Sequence, residues 1–350
     1  MSGSTLTPPL VQIFSKRPRV SATLRGDSIQ TTVVGSYPRI GGGAEGQRLR
    51  RAITRHDRGE IAPEDLRKVE VEVLQEIVRE QASAGVDVVT DGQVTWHDAP
   101  SHFAARLEGF EIGALERYFD TNTYYRRPKA KGKVRWVNPI TVDDWLAASS
   151  ASPTPVKAVV TGPYTLATLS ANGASSDLLW ALAEALGNEV NALAHAGASR
   201  IQIDEPALTR GKVLPKGYDE LAATLLHGKG RAKTTLFTYF GGVGPFLDDI
   251  TALPFDFIGL DLVQGAGTLD VLRRSHVEKP LVLGLIDARN TRMEDPRAVA
   301  KIAASLADRI PLDHSYLSPS NGLEFLPREK AREKLEILVT AGKLVEEVRP

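Results

Sequence analysis

ALAEALGNEVNALAHAGASRIQIDEP, residues 181–206, reads as a helix running almost directly into a strand. The Ala-Gly pair at 196–197 stops the helix, and the β-branched run that follows ends at Asp204-Glu205-Pro206, where proline ends strand pairing. The same grammar stands upstream. APEDLRKVEVEVLQEIVREQASAG, residues 62–85, spaces Leu66, Val69, Val73, Leu74, Ile77 and Val78 by threes and fours. Pro63, Glu64 and Asp65 suit its start and Gly85 its stop, and VDVVTDG, residues 86–92, follows as a strand.

Further strands are expected in TTVVGS (31–36), VKAVVTGP (156–163), TTLFTYFGG (234–242), FDFIGLDLV (255–263), PLVLGLIDARN (280–290) and HSYLSPSNG (314–322). Their centres, Val33, Val88, Val159, Ile203, Phe237, Ile258, Leu283 and Tyr316, alternate with helical patterns. That spacing predicts a (β/α)8 TIM barrel over residues 31–350, preceded by an N-terminal arm over 1–30. A long insertion after strand 2, about residues 92–155, reads as a lid over the barrel mouth, because it carries aromatics and the basic run RRPKAK (126–131).

Composition narrows the function. Lys plus Arg equals Asp plus Glu at 43 each, so no global field draws the chain to nucleic acid or anionic lipid. The absence of cysteine excludes disulfides, iron–sulfur clusters, cysteine nucleophiles and cysteine-ligated zinc. The start of the chain has no signal-peptide pattern, and no apolar run is long enough to span a bilayer, so the expected location is cytoplasmic.

Barrel active sites lie at the strand carboxyl ends. Here these ends carry Ser36, Asp91, Gln93, Asp204, Glu205, Tyr239, Asp261, Asp287, Arg289 and Asn321. Asp204 and Glu205 are adjacent on a strand and point to opposite sides, so only one faces the pocket fully. A carboxylate there binds an amine or acts as base; capping a helix is its structural alternative. His97 and His102 are five residues apart, which does not stack them on one helical face as a metal pair, so Trp96 reads as the lid's anchor and Asp98 as part of a polar network. Val33–Gly43 is rich in glycine but lacks the ending of a phosphate loop. Asp287 and Arg289 suit either an anion clamp or an internal ion pair.

TTVVGSYPR, DVVTDGQVTWHD, TGPYTLATLS, QIDEPAL, TYFGGVGPFLDDITALPFDFIGLDLV, LGLIDARN and SPSNGLEFLP, taken in order, resemble the cobalamin-independent methionine synthase family from Thr31 onward. Members are built from (β/α)8 barrels. The catalytic barrel holds zinc and homocysteine and takes a methyl group from a methylfolate, and a second, amino-terminal barrel lacks zinc. YPRIG, FDTNTYY and GLIDARN look more like the amino-terminal barrel, whereas VGSYPR and DGQ echo the catalytic one.

The resemblance sets Ser36, Gln93 and Asp204 where the catalytic barrel grips its amino-acid substrate. The expected site has Ser36, Arg39, Gln93, Trp96, Asp98, Glu205, Asp287, Arg289 and Asn321 around the substrate, Asp204, Tyr239 and Asp261 at the chemistry, and Tyr124, Arg126 and Lys129 near the donor's acidic tail. Where the catalytic barrel has its zinc ligands, this chain has Tyr239, Gly241, Asp261 and Asn321, of which Asp261 alone suits a metal. Leu169 stands where that barrel has a tryptophan against the pterin, and Gln93 where it has a glutamate. The implied function is a zinc-independent methyltransferase with a tetrahydrofolate derivative as co-substrate and a small amino-bearing acceptor. The alternatives are an auxiliary barrel docking on a separate zinc-bearing methyltransferase chain, or a lyase or decarboxylase on the same fold. Expected partners are small molecules, with a partner chain or a second copy as further options, and neither nucleic acid nor membrane.

Overall fold

The computed structural model describes residues 29–349, so the expected arm lies outside the described residues apart from Ile29 and Gln30. Strands β1 (Gln30–Thr31), β4 (Ala158–Thr161), β5 (Arg200–Asp204), β6 (Lys233–Thr238), β7 (Phe257–Asp261), β8 (Leu281–Ile286) and β9 (Tyr316–Pro319) form one sheet. The order is β1-β9-β8-β7-β6-β5-β4, and every pairing is parallel. Seven of the eight expected strands therefore take part as ladders. The remaining one, around Val88, is reduced to two isolated parallel bridges, Thr32 with Val88 and Val89 with Val156. Its backbone is held instead by side chains. The Gln81 amide brackets Thr90, accepting its N–H and donating to its carbonyl at 3.0 Å each, and the Thr32 hydroxyl donates to Val88 O.

The helical signals translate closely. The helix Pro63–Ser83 starts with proline in its first turn and is followed by Gly85 at φ +94°, a conformation that glycine adopts without steric cost. The helix Ser176–Ala196 ends on Gly197 at φ +105°. Leu182, Leu186, Val190 and Leu193 are buried on its apolar side. Strand β5 is buried along nearly its whole length because helices cover one face and the barrel interior the other. Inside, Val34, Val88, Phe237, Tyr239, Val282 and Tyr316 pack as a cluster separate from the layer between sheet and helices.

The long insertion is folded throughout. It holds a short helix, Ala99–Ala104, then an antiparallel hairpin of β2 (Glu108–Arg117) and β3 (Tyr124–Arg135), then the helix Val142–Ala151. That last helix packs against Pro63–Ser83 and Ser176–Ala196, so it belongs to the outer helical layer, and the mouth is lined by the start of the insertion and by the hairpin. Among the described residues no helix is long and apolar enough to cross a membrane.

Candidate active site

A cavity of about 360 Å³ opens at the carboxyl ends of the strands. Asp204, Tyr239, Ser36, Gln93, Arg39, Trp96, Asp98 and Tyr124 all line it, as do Glu324 and Tyr118. Its size falls in the usual range for small-molecule pockets.

Asp204 is the deepest charged group on this wall. Strand alternation turns Gln202 and Asp204 inward and sends Ile201 and Ile203 to the helices. One Asp204 oxygen accepts from Gln202 Nε2 at 2.7 Å and the other from the Tyr239 hydroxyl at 3.3 Å. Burial pushes this carboxyl up to about 7, against the hydrogen bond from Gln202 and the charge of Lys157. Tyr239, buried and hydrogen-bonded to Tyr118, is held well above the ordinary phenol range, first by desolvation and then by the Asp204 charge. It is therefore a donor and not a phenolate at neutral pH.

Glu205 faces the other way. Its carboxylate accepts the backbone N–H groups of Tyr164 and Thr165 at 2.9 and 2.6 Å and the Tyr218 hydroxyl at 3.1 Å. It serves the start of the helix Pro163–Thr168 and does not line the cavity.

On the opposite wall Ser36 donates to Glu324, an exposed residue that opens onto the cavity. Desolvation pushes the Glu324 carboxyl up, and the Ser36 hydrogen bond draws it back. Gln93, at φ 53°, lays its amide against Gly35, where an added Cβ would stand 2.7 Å from Nε2. Arg39 donates to the carbonyls of Val94 and Trp96 at 2.8 and 2.7 Å, tying the first βα loop to the insertion. Trp96 stacks on His102 with ring centroids 4.6 Å apart. Asp98 caps the helix Ala99–Ala104 through Ser101 N–H at 2.6 Å and accepts the backbone N–H of Arg126 at 3.1 Å, joining the insertion's helix to its hairpin.

The remaining expected residues, Tyr124 excepted, lie around the cavity and not in its wall. Asp261, pushed up to about 6 by burial, accepts Val263 and Gln264 N–H on one oxygen and Phe240 N–H on the other. Asp287 accepts the Arg289 backbone N–H at 2.9 Å. The Arg289 guanidinium passes it, donates to Asp120 O at 2.9 Å and lies 5.6 Å from the centre of the Phe240 ring. Asn321 is buried, with its Nδ2 donating to the Ser320 hydroxyl. Arg126 and Lys129 are exposed on β3, and Tyr124 reaches the cavity edge from its start while 60% exposed.

Tyr118, Glu324 and Lys157 are site residues that sequence reasoning passed over. Gln202 carried a usable signal, being two residues before Asp204 and hence on the same face.

Tyr239, Gly241, Asp261 and Asn321, the positions the resemblance aligns with zinc ligands, offer one carboxylate, and its oxygens already accept three backbone N–H groups. A catalytic zinc takes three protein ligands, so this donor set does not fit one. Among the described residues no cluster of three or more His, Cys, Asp or Glu side chains is placed to hold a metal ion.

A family model described as "Cobalamin-independent synthase, Catalytic domain" matches residues 29–344. The methionine synthase of Sulfurisphaera tokodaii is 34% identical over 326 residues, spanning 91% of this chain and 93% of that protein. That of Saccharolobus solfataricus is 33% identical over 329 residues, spanning 91% and 95%. Among solved structures, a B12-independent methionine synthase from Shewanella sp. W3-18-1, in complex with selenomethionine, superposes with a TM-score of 0.77 at 20% identity. The match covers 91% of this chain and 98% of that one, a likeness of fold.

Proposed function

The chain belongs to the cobalamin-independent methionine synthase family of methyltransferases, and from that premise we propose that it moves a methyl group from a methyltetrahydrofolate-type donor to a small amino-bearing acceptor without zinc. In this reading the chain from residue 31 onward is one (β/α)8 barrel closed across the Val88–Val89 bridges. The observation that carries the chemistry is Asp204, a buried carboxyl lining the cavity and brought by its surroundings to about 7, where a general base works best at neutral pH.

Asp204 takes the proton of the acceptor's nucleophilic group as that group bonds to the methyl carbon. The bond from that carbon to the donor nitrogen breaks, and the electron pair stays on nitrogen. Glu324, across the cavity from Asp204, supplies the proton that this nitrogen gains. Tyr239 steadies Asp204, and Gln93 and Ser36 hold the acceptor's polar ends. Tyr124 receives the donor's ring at the cavity edge, and Arg126 and Lys129, exposed on β3, receive its acidic tail.

The test is consumption of methyltetrahydrofolate by the metal-free protein with L-homocysteine and a panel of amino-bearing acceptors, alongside calorimetric binding of the donor. Asp204→Asn is expected to lower turnover by roughly 10²–10⁴ while donor binding persists. No donor binding and no turnover would sink the proposal. A donor set that does not suit zinc also favours a second reading, an auxiliary barrel for a separate zinc-bearing methyltransferase chain. That reading requires an inactive isolated chain and a stoichiometric complex in size-exclusion chromatography.

A further inference from the structure

Below the cavity the barrel interior encloses a lysine that the transfer scheme does not use. Lys157, one residue before β4, is buried and does not line the cavity. Its Nζ donates to Val33 O at 2.7 Å and to Gln202 Oε1 at 2.5 Å. The Gln202 amide in turn donates from Nε2 to Val34 O at 2.5 Å and to Asp204 Oδ1 at 2.7 Å. An ammonium has donors only, and a carbonyl oxygen or carboxylate only accepts. The amide therefore must turn its oxygen to Lys157 and its NH2 to Asp204. The flipped amide would set donor against donor and acceptor against acceptor in a dry interior.

We propose that Lys157 is a positioning residue for Asp204: its ammonium locks the Gln202 amide so that the amide N–H, backed by the lysine charge, holds the Asp204 carboxylate ready for the acceptor. This inference rests on the reading that Asp204 faces the acceptor. The groups acting on Asp204 are Gln202, Lys157 and Tyr239, which favour its ionised form, and Glu324, which opposes it. Tyr118 acts through Tyr239, and Arg200 faces Lys157. Burial draws Lys157 down to about 7, and the Asp204 charge is what counters that loss, so each group sustains the other's ionisation. The contacts to Val33 O and Val34 O also pin the chain just before Gly35-Ser36, tying the depth of Asp204 to the Ser36 wall.

The experiment reads Asp204 without any ligand. Carboxyl 13C NMR of the full chain is titrated, and the Asp204 signal is identified by its loss in Asp204→Asn. Lys157→Met, which keeps length and removes charge, is expected to raise the Asp204 midpoint by about one unit or more. Gln202→Leu is expected to raise it while leaving the lysine in place. Adding Lys157→Met to Gln202→Leu is expected to move it by less than Lys157→Met moves the native protein, because the amide link is already gone. Lys157→Arg is expected to restore some of the shift. If Lys157→Met does not fold, Gln202→Leu decides alone. An unmoved midpoint in the folded variants overturns the proposal. A moved midpoint in a protein that consumes no methyltetrahydrofolate would leave this inference standing and remove the transfer reading instead.

Discussion

Asp204 and Glu205 share a strand end and diverge there because successive side chains leave a strand on opposite faces. The one-residue offset gives Asp204 a pocket and Glu205 three hydrogen-bond donors behind the sheet. Glu205 leaves no room at Gly162, where an added Cβ would stand 2.2 Å from the Glu205 Cδ. Gly162→Ala must push the carboxyl off its donors, and urea melts are expected to show a loss of about 1–3 kcal/mol. The alternation was legible in the sequence, and so was the conclusion that a single member of the pair faces the pocket. Which one does so was not, because that depends on the side from which the helices cover β5. Glu324 and Tyr118 were illegible for a different reason. They reach Asp204 from residues about 120 and 86 positions away, brought together by chain closure alone.

The hairpin β2–β3 was legible as a long, ordered insertion but not as strands. Its first strand, EGFEIGALER, is solvated on both faces over much of its length and so lacks the alternation that marks a half-buried strand. Its tip carries one set of the contacts that hold it. Asp120 pairs with Arg210 at 2.8 Å and accepts from Arg289 through its carbonyl, while Arg210 lies over the Phe119 ring. Phe119 and Phe240, at φ 51° and 67°, both take a left-handed backbone that aromatic residues seldom adopt, and their rings meet at 5.7 Å. Packing at this contact offsets the strain. Arg289→Ala removes one cation over an aromatic ring and one hydrogen bond to the tip. Amide exchange at Tyr118 and Thr121 is expected to quicken about fivefold, with global stability little changed.

At the scale of the whole molecule the curled parallel sheet covered by helices was the most legible feature, since apolar runs alternating with helices leave few other ways to bury both faces of a sheet. Its interior chemistry has a measurable cost. Burial raises Asp91 from an ordinary 3.8 to about 7, with Asp144 adding repulsion. Between those pH values the folded chain holds a proton that the unfolded chain has lost, so this group's contribution to stability falls as pH rises from about 4 through 7. Asp204 and Glu205, also raised to about 7, act in the same direction. Asp91→Asn keeps an acceptor for the Gln93 N–H and removes the titration. Thermal melts are expected to show the variant gaining at least about 1 kcal/mol on the native protein between pH 5 and pH 8. A constant difference would contradict the assignment.

The segment at Val88–Val89 is held to its neighbouring strands by few backbone bonds. Val88 N–H meets Thr31 O at 3.1 Å, Val89 N–H meets Pro155 O at 3.1 Å, and Lys157 N–H meets Val89 O at 2.8 Å. The neighbours from β4 round to β9 share ladders of at least four pairs each, whereas β1 pairs with β9 over two, so the bonding is thinnest around the first two strands. The wall of the molecule thus has a seam, and the seam borders the lysine. Lys157 also lines a small recess with Val88, Arg200 and Lys233 at the amino ends of the strands, so the ammonium has a way to water that does not pass the mouth where a substrate would stand.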